Sequence, residues 1–154
     1  MDDIKRKIGE ILVENGVLGR DQLDGALAIQ AKEGGLVGQI LIRTGCITEE
    51  ELTAAISRQL RIPYLPLSQY SLNQEASLRL NEDFCRRHQL LAFDDDDGHI
   101  FVAGVCPVDG DVLEAIEKKA GRRVRLFNAL PGEILAMTDI VFQNKRRPEL
   151  KKTA

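Results

Sequence analysis

The cysteines, the histidines and a run of aspartates are the most chemically versatile side chains in this 154-residue sequence. Cys85 and His88 have the spacing of two metal ligands, but the only other histidine is His99 and no second cysteine pair follows. The aspartates at 94–97 offer oxygen ligands to a hard cation, yet Gly98 and the flanking apolar segments are more typical of a solvated hairpin turn. We therefore predict no metal site.

The motifs of common enzymes are missing. The sequence contains no G-x-x-x-x-G-K-[ST] phosphate-binding loop, no G-x-S-x-G nucleophile elbow and no H-E-x-x-H zinc motif. Cys46, Cys85 and Cys106 are odd in number, far apart and set among apolar neighbours, as expected of buried reduced thiols. We predict a protein with no catalytic residues, no enzymatic activity and no catalytic cofactor.

The composition is that of an ordinary soluble globular protein with one domain or two small ones, since 44% of the residues are hydrophobic and 29% are charged. A net charge of −3 gives no global attraction to a nucleic acid polymer. No apolar stretch approaches the roughly 18 residues that a transmembrane segment requires. The charged start MDDIKRK is unlike a signal peptide, so we expect a cytoplasmic location.

One 24-residue unit occurs twice in the chain. The segment KIGEILVENG at 7–16 matches LVGQILIRTG at 36–45, and the same offset of 29 aligns Gln30 with Gln59. Apolar residues recur at the spacing of one buried helix face, and Gly16 and Gly45 are placed to end a first short helix. The duplication therefore predicts about four short helices, arranged as two helical hairpins, over residues 1–60.

The two copies differ at the start of their second helices. Thr48 and Glu51 form an S/T-x-x-E capping box, whereas Gly19 and Gln22 hold these positions in the first copy. A glycine cap has no side-chain oxygen, so the first copy is predicted to have the weaker helix start.

The sequence pattern changes after residue 60 and predicts a small α+β subdomain over 61–143. The segment RIPYLPL, with two prolines, suits either an edge strand or an extended linker. A three- to four-stranded sheet and three helices are predicted, with strands at 89–93, 99–105 and 122–129, helices at 77–88, 107–121 and 131–143, and a turn at 94–98. Residues 144–154 read as a basic flexible tail.

Two arginines in the last predicted strand fall on one face of it. Arg123 and Arg125 alternate with Val124 and Leu126, which is the pattern of a strand with one solvated face. The pattern is compatible with a plain exposed surface and with a contact to a partner.

The duplicated unit, written R-L-G-x-x-L, ten residues, L-x-x-x-L-x-x-Q, with five residues between the copies, resembles the N-terminal domain of type II secretion and type IV pilus assembly ATPases. The resemblance is to the subset known to bind cyclic di-GMP, and the strand-rich half resembles the rest of that region. The motif falls on Lys7, Ile8, Gly9, Leu12, Leu23, Leu27 and Gln30 in the first copy, and on Leu36, Val37, Gly38, Leu41, Leu52, Ile56 and Gln59 in the second.

This resemblance implies a non-catalytic interaction and regulatory module that docks on a protein component of a secretion or pilus machine. It also implies an alternative, a cyclic di-GMP receptor domain that uses the fourteen motif residues, with the dinucleotide as a regulatory ligand. The same docking would place a cytoplasmic protein beside an inner-membrane machine through its partner. The family's ATPase domain, with its phosphate-binding loop, is absent from this sequence.

Both arginines that open the family's ligand motif are replaced, by Lys7 and by Leu36. An arginine can fork onto guanine O6 and N7, while lysine keeps only the charge and leucine keeps neither. The loss of two such contacts, at about 1 to 3 kcal/mol each, weakens binding by about 10² to 10⁴ fold. Against this, the motif glycines and leucines have a second reading, in which they pack helix against helix.

Overall fold

The structure, a computed structural model, describes the backbone of residues 2–146 and the side chains of residues 8–143. The chain divides after Arg61 into two compact units. The first unit is helical, and the second combines helices with a three-stranded sheet. The predicted α+β class is confirmed.

The first unit consists of four helices, as the duplication predicts. They are α1 (Asp2–Glu14), α2 (Arg20–Glu33), α3 (Val37–Arg43) and α4 (Glu49–Leu60). Helix α1 packs against the other three, and α2 also packs against α3. The helices surround one core, formed by Ile8, Leu12, Leu18, Leu23, Ala26, Val37, Ile40, Leu41, Ile47, Leu52 and Ala55.

The first helix of each copy ends in the same way. Gly16 and Gly45 have φ values of 74° and 79°, the left-handed conformation that glycine adopts without strain. The amide of the following residue then donates to the carbonyl of the buried motif leucine, from Val17 to Leu12 at 3.0 Å and from Cys46 to Leu41 at 2.9 Å. The glycine positions are therefore explained by helix termination.

The second helices begin with unequal caps, because only one copy has a side chain at the cap position. Thr48 Oγ1 accepts a hydrogen bond from the Glu51 amide at 3.1 Å, and Glu51 Oε1 accepts one from the Thr48 amide at 3.0 Å. In the first copy, Gln22 Oε1 accepts from the Gly19 amide at 2.9 Å, and glycine has no side chain with which to return the bond. The capping box is complete in α4 and half-formed in α2.

We expect Thr48→Ala to lower the free energy of unfolding of the first unit by about 1 kcal/mol, because the Glu51 amide loses its acceptor. Hydrogen exchange of peptides from α4, followed by mass spectrometry, measures this loss directly. Thr48→Ser is the matched control, since it keeps the hydroxyl and should retain the stability to within about 0.5 kcal/mol. Equal losses in the two variants would assign the effect to the threonine methyl group instead.

The second unit is built on a sheet in the order β1–β2–β3. Strands β1 (Leu90–Asp95) and β2 (His99–Gly104) are antiparallel, and β3 (Arg123–Asn128) is parallel to β2. The helical elements of this unit are a 3₁₀ turn at Leu67–Gln69, α5 (Gln74–Ser77), α6 (Glu82–His88), α7 (Gly110–Ala120) and α8 (Pro131–Arg146). Helix α7 forms the crossover between the parallel strands, as such a connection requires.

The helix predicted over 77–88 is wrong as a single element. Helix α5 ends at Ser77 and α6 begins at Glu82, because Asn81 caps α6 by accepting a hydrogen bond from the Phe84 amide at 2.8 Å. Leu80 lies between the two helices and is fully buried. The apolar spacing that predicts one continuous helix is therefore produced by two short helices and the buried residue between them.

The ends of several elements also differ from the sequence prediction. Strand β1 continues through Asp95, so the predicted five-residue turn is shortened to residues 96–98. The RIPYLPL segment is extended and makes a single bridge, between Tyr64 and Asn128, rather than a strand. Helix α8 reaches Arg146, inside the segment predicted as a tail, and residues 147–154 lie outside the described part of the chain.

Two of the three cysteines are buried thiols in the second unit. Burial raises the pKa of Cys85 to about 12 and that of Cys106 to about 11, so both remain protonated at neutral pH. Cys46, in the first unit, is partly exposed. Since the thiolate is the nucleophile, the buried pair is chemically inert.

Candidate ligand site on the duplicated helices

The structure divides the predicted ligand motif into a buried part and an accessible part. Eight of its residues are buried and belong to the core of the first unit or line it. They are Ile8, Gly9, Leu12, Leu23, Val37, Gly38, Leu41 and Leu52. The apolar side chains among them form the core of the first unit, and the two glycines lie against it.

The two motif glycines each face a motif leucine. A Cβ atom built on Gly9 would lie 2.7 Å from Leu23 Cδ1, and one built on Gly38 would lie 3.0 Å from Leu52 Cδ1. Both distances are shorter than ordinary van der Waals contact, and both leucines are buried. The contact thus occurs twice, at equivalent positions, and gives the glycines a packing role.

The accessible motif residues lie on or beside α2, α3 and α4. Leu27 is 39% exposed and Leu36 is 48% exposed, which is high for leucine side chains. Gln30, Ile56 and Gln59 are half-buried. These five residues are the motif positions from which a ligand could be contacted in the described part of the chain.

Gln30 also organises the spacer between the copies. Its Nε2 donates to the carbonyl oxygen of Gly35 at 3.0 Å, across the end of α2. Gly34 and Gly35 have φ values of 75° and 93°, which other residues rarely adopt. The side chain therefore stabilises the turn that leads into Leu36.

A shallow pocket of about 340 Å³ opens beside this turn, where α2 ends and α3 begins. Leu36 is the only member of the ligand motif among its lining residues. The others are Glu33, Gly34, Gly35, Gln39, Ile40 and Arg43. Sequence reasoning did not single out Gln39, although the offset of 29 places it opposite Glu10 in the first copy.

Two ion pairs join charged side chains of the helices in the first unit. Arg43 Nη2 lies 3.2 Å from Glu33 Oε2 at the pocket rim, and both side chains are exposed, so the pair contributes little to stability. Arg20 donates to both oxygens of Glu10 at 3.0 and 2.9 Å, and these hydrogen bonds hold the pKa of Glu10 below its usual range. A phosphate at the pocket would compete with Glu33 for Arg43.

Lys7, the first position of the first copy, lies outside the residues whose side chains the structure describes, as do Lys5 and Arg6. Arg58, a basic residue in the last turn of α4, is exposed. The structure therefore locates the second-copy substitution, Leu36, and leaves the geometry of the first-copy substitution undescribed.

The side chains considered for metal binding have other partners. The His88 ring packs against Phe84 with centroids 4.7 Å apart, and Asp94 accepts a hydrogen bond from the Tyr70 hydroxyl at 2.9 Å. Asp96 accepts bonds from the amides of Gly98 and His99 within the hairpin turn, which lowers its pKa. Among the described residues, no group of three or more histidine, cysteine or acidic side chains is placed to hold a metal ion.

The MshEN domain family matches residues 60–148, more than half of the chain. The chain belongs to this family. The matched segment covers most of the second unit, whereas the duplicated ligand motif lies before residue 60. The resemblance to the N-terminal domain of secretion and pilus ATPases is thereby confirmed.

Two solved structures have a fold similar to that of this chain. A structure of MshE with cyclic di-GMP has a TM-score of 0.77 and 26% sequence identity, and the match covers 87% of this chain and 97% of that one. The N-terminal domain of XpsE has a TM-score of 0.64 at 20% identity, covers 88% of this chain and 94% of its own, and shows the fold alone. A match to 87% of the chain extends beyond the second unit.

Longer curated proteins contain a similar segment. Bacteriophage adsorption protein B of Escherichia coli K12 is 26% identical over 130 residues, and the type IV pilus assembly ATPase PilB of Thermus thermophilus is 30% identical over 126 residues. These matches cover 84% and 81% of this chain but 17% and 14% of the relatives, so the chain spans less than a fifth of their length. None of its described helices has the length and apolar character needed to cross a bilayer.

Proposed function

We propose that this chain is a non-catalytic interaction and regulatory module of a type II secretion or type IV pilus-like system. The observation that carries the proposal is the family match at 60–148, together with the 30% identity to the type IV pilus assembly ATPase PilB. In this reading the chain docks on a protein component of the machine, and its position beside the membrane is set by that partner.

The surface chemistry of the first unit supports docking more strongly than nucleotide binding. Leu36 and Leu27 are exposed leucines, and an exposed leucine is better suited to a protein contact than to a phosphate. Arg43, the cation that lines the pocket together with Leu36, is already paired with Glu33. The position that would supply a guanidinium fork in a dinucleotide receptor supplies apolar surface here.

Affinity capture from an extract of the organism that encodes the chain tests the docking proposal. The bait is the full 154-residue chain, and Leu41→Asp is the control bait, because a charge at this fully buried position disrupts the first unit. We expect a secretion or pilus component to be enriched by the wild-type bait after quantitative mass spectrometry. Absence of every such component, from an extract in which they are detected, would contradict the proposal.

The alternative function is a cyclic di-GMP receptor, and one observation favours it. The MshE structure that this chain resembles at a TM-score of 0.77 contains that dinucleotide. The two functions are compatible, since a ligand with different affinities for the free and docked states would shift the docking equilibrium. Calorimetry with cyclic di-GMP, with and without the captured partner, separates a receptor from a pure docking module.

A further inference from the structure

The solvent-facing side of β3 carries two arginines without partners. Arg123 and Arg125 are both exposed, and within residues 8–143 neither guanidinium group has a hydrogen bond or an ion pair. The adjacent Arg122 behaves differently, since its Nε donates to the Asp96 carbonyl at 2.8 Å and its Nη1 lies 3.7 Å from Asp95 Oδ2. Within the described residues, this face of β3 therefore presents two unpaired guanidinium groups, at alternate positions of the strand.

Strand β2 places an aromatic ring and an imidazole beside these arginines. The parallel register pairs Arg125 with Phe101 and Arg123 with His99. Phe101 is half-buried and lies 6.3 Å, between ring centroids, from Phe127, the next residue on the same side of β3. The face thus combines two guanidinium groups with an adjacent apolar surface formed by two phenylalanine rings.

The spacing of the two arginines selects the shape of the ligand. Successive residues on one side of a strand are about 6.6 Å apart, which is twice the rise per residue. Carboxylates at alternate positions of a second extended segment repeat at the same distance, so each one can meet one arginine. Arginine and carboxylate groups form paired, charge-assisted hydrogen bonds, which favours this match over a single contact.

The surroundings argue against a long polyanion. Asp96 and Asp97 are exposed beside His99, whose Nδ1 lies 3.3 Å from Asp96 Oδ1, and the chain as a whole has a net charge of −3. A nucleic acid needs a track of cations, whereas this face offers two, bordered by carboxylates. A short segment with two acidic side chains satisfies both arginines and avoids the aspartates.

The edge of β3 is already occupied, which fixes how the segment lies. The Val124 amide donates to Glu117 Oε2 at 3.0 Å, and the Asn128 amide donates to the Pro63 carbonyl at 2.8 Å. Addition of another strand at this edge would have to displace both contacts. The acidic segment is therefore expected to lie on the arginine-bearing face, parallel or antiparallel to β3, rather than at its edge.

We propose that this face of β3 binds an extended acidic segment of a partner protein, in which two carboxylates at alternating positions pair with Arg123 and Arg125. The inference rests on the proposed function as an interaction module and names the chemistry of one docking contact. It assigns the face a role that is separate from the dinucleotide motif of the first unit.

Fluorescence anisotropy at low ionic strength tests the pairing. The probe is a short labelled peptide in which glutamate alternates with threonine, and the comparison peptide has the same composition with its glutamates contiguous. We expect the wild-type chain to prefer the alternating peptide, and Arg123→Gln with Arg125→Gln to weaken its binding at least about tenfold. Lys32→Gln with Lys118→Gln removes the same charge from exposed helical positions and should change binding less than about twofold.

Several results would overturn the inference. They are the absence of saturable peptide binding, equal affinity for the two peptides, an equal loss in the lysine variant, tighter binding of a single-stranded oligonucleotide, and self-association of the chain through these arginines in light scattering. Capture of a secretion or pilus component that is unchanged by the double glutamine variant would also overturn it, while leaving the proposed function intact. Failure of the wild-type capture alone would instead count against the proposed function.

Discussion

Leu41→Ala is expected to lower the free energy of unfolding of the first unit by about 2 to 5 kcal/mol. Leu41 is fully buried in the core that α1, α2, α3 and α4 share, and its carbonyl accepts the hydrogen bond that closes the end of α3. Truncation removes apolar contacts and leaves a cavity that short, mutually packed helices can fill only in part. The effect is large because the whole unit has one small core.

Leu27→Ala is the matched control for this prediction, since it changes the same residue type within the same motif. Leu27 is 39% exposed, so its truncation should alter stability by no more than about 0.5 kcal/mol. Hydrogen exchange resolved by peptide separates the first unit from the second, which circular dichroism of the whole chain would not. Comparable losses in the two variants would show that the division of the motif into buried and accessible residues is wrong.

The division itself could not be read from the sequence. Leucines at both kinds of position look identical in a repeat, because their spacing reports the helix period and not which neighbours cover them. The glycines were more informative, since Gly16 and Gly45 end helices for a reason that is local to the backbone. Gly9 and Gly38 needed the structure, because their partners are leucines on a different helix.

Local sequence signals predict most of the helices and strands, but they misplace the start of α6 and the end of β1. The complete cap at Thr48 and the weaker one at Gly19 follow from the residue types alone, and the structure confirms both. The break before α6 is not predicted because the apolar spacing continues across it, although Asn81 is a residue type that favours helix caps over helix interiors. Strand β1 was predicted two residues too short because Asp94 and Asp95 are poor strand formers, and the ladder with β2 holds them nonetheless.

The same limit applies to the arginines of β3. Alternation with Val124 and Leu126 predicted one solvated face, and the structure places both arginines on it. Whether a charged side chain is free or paired depends on residues distant in sequence, as the contrast with Arg122 illustrates. A prediction of function from a charge pattern therefore requires the positions of the opposing charges.

Lys7→Arg combined with Leu36→Arg is expected to strengthen cyclic di-GMP binding at least about tenfold, or roughly 1.4 kcal/mol, if the rest of the surface still forms a dinucleotide site. The resembled family has arginine at both positions. Full restoration of the two bidentate arginine contacts would strengthen cyclic di-GMP binding by about 10² to 10⁴ fold. The structure can accept the second substitution, because Leu36 is 48% exposed at the start of α3 and beside an open pocket. Isothermal titration calorimetry measures the change, and the wild-type chain is expected to bind weakly or not at all.

Two comparisons distinguish base recognition from added charge. Lys7 with Leu36→Lys carries the same net charge as the double arginine variant but has no fork, so it should recover only a small part of the affinity. Raising the ionic strength should weaken a nonspecific attraction more than bidentate contacts to guanine. A folded double arginine variant with no gain over the wild type would mean that the surface has diverged beyond its first positions. The exposed Leu36 would then belong to a protein-docking surface, and the cyclic di-GMP alternative would be withdrawn.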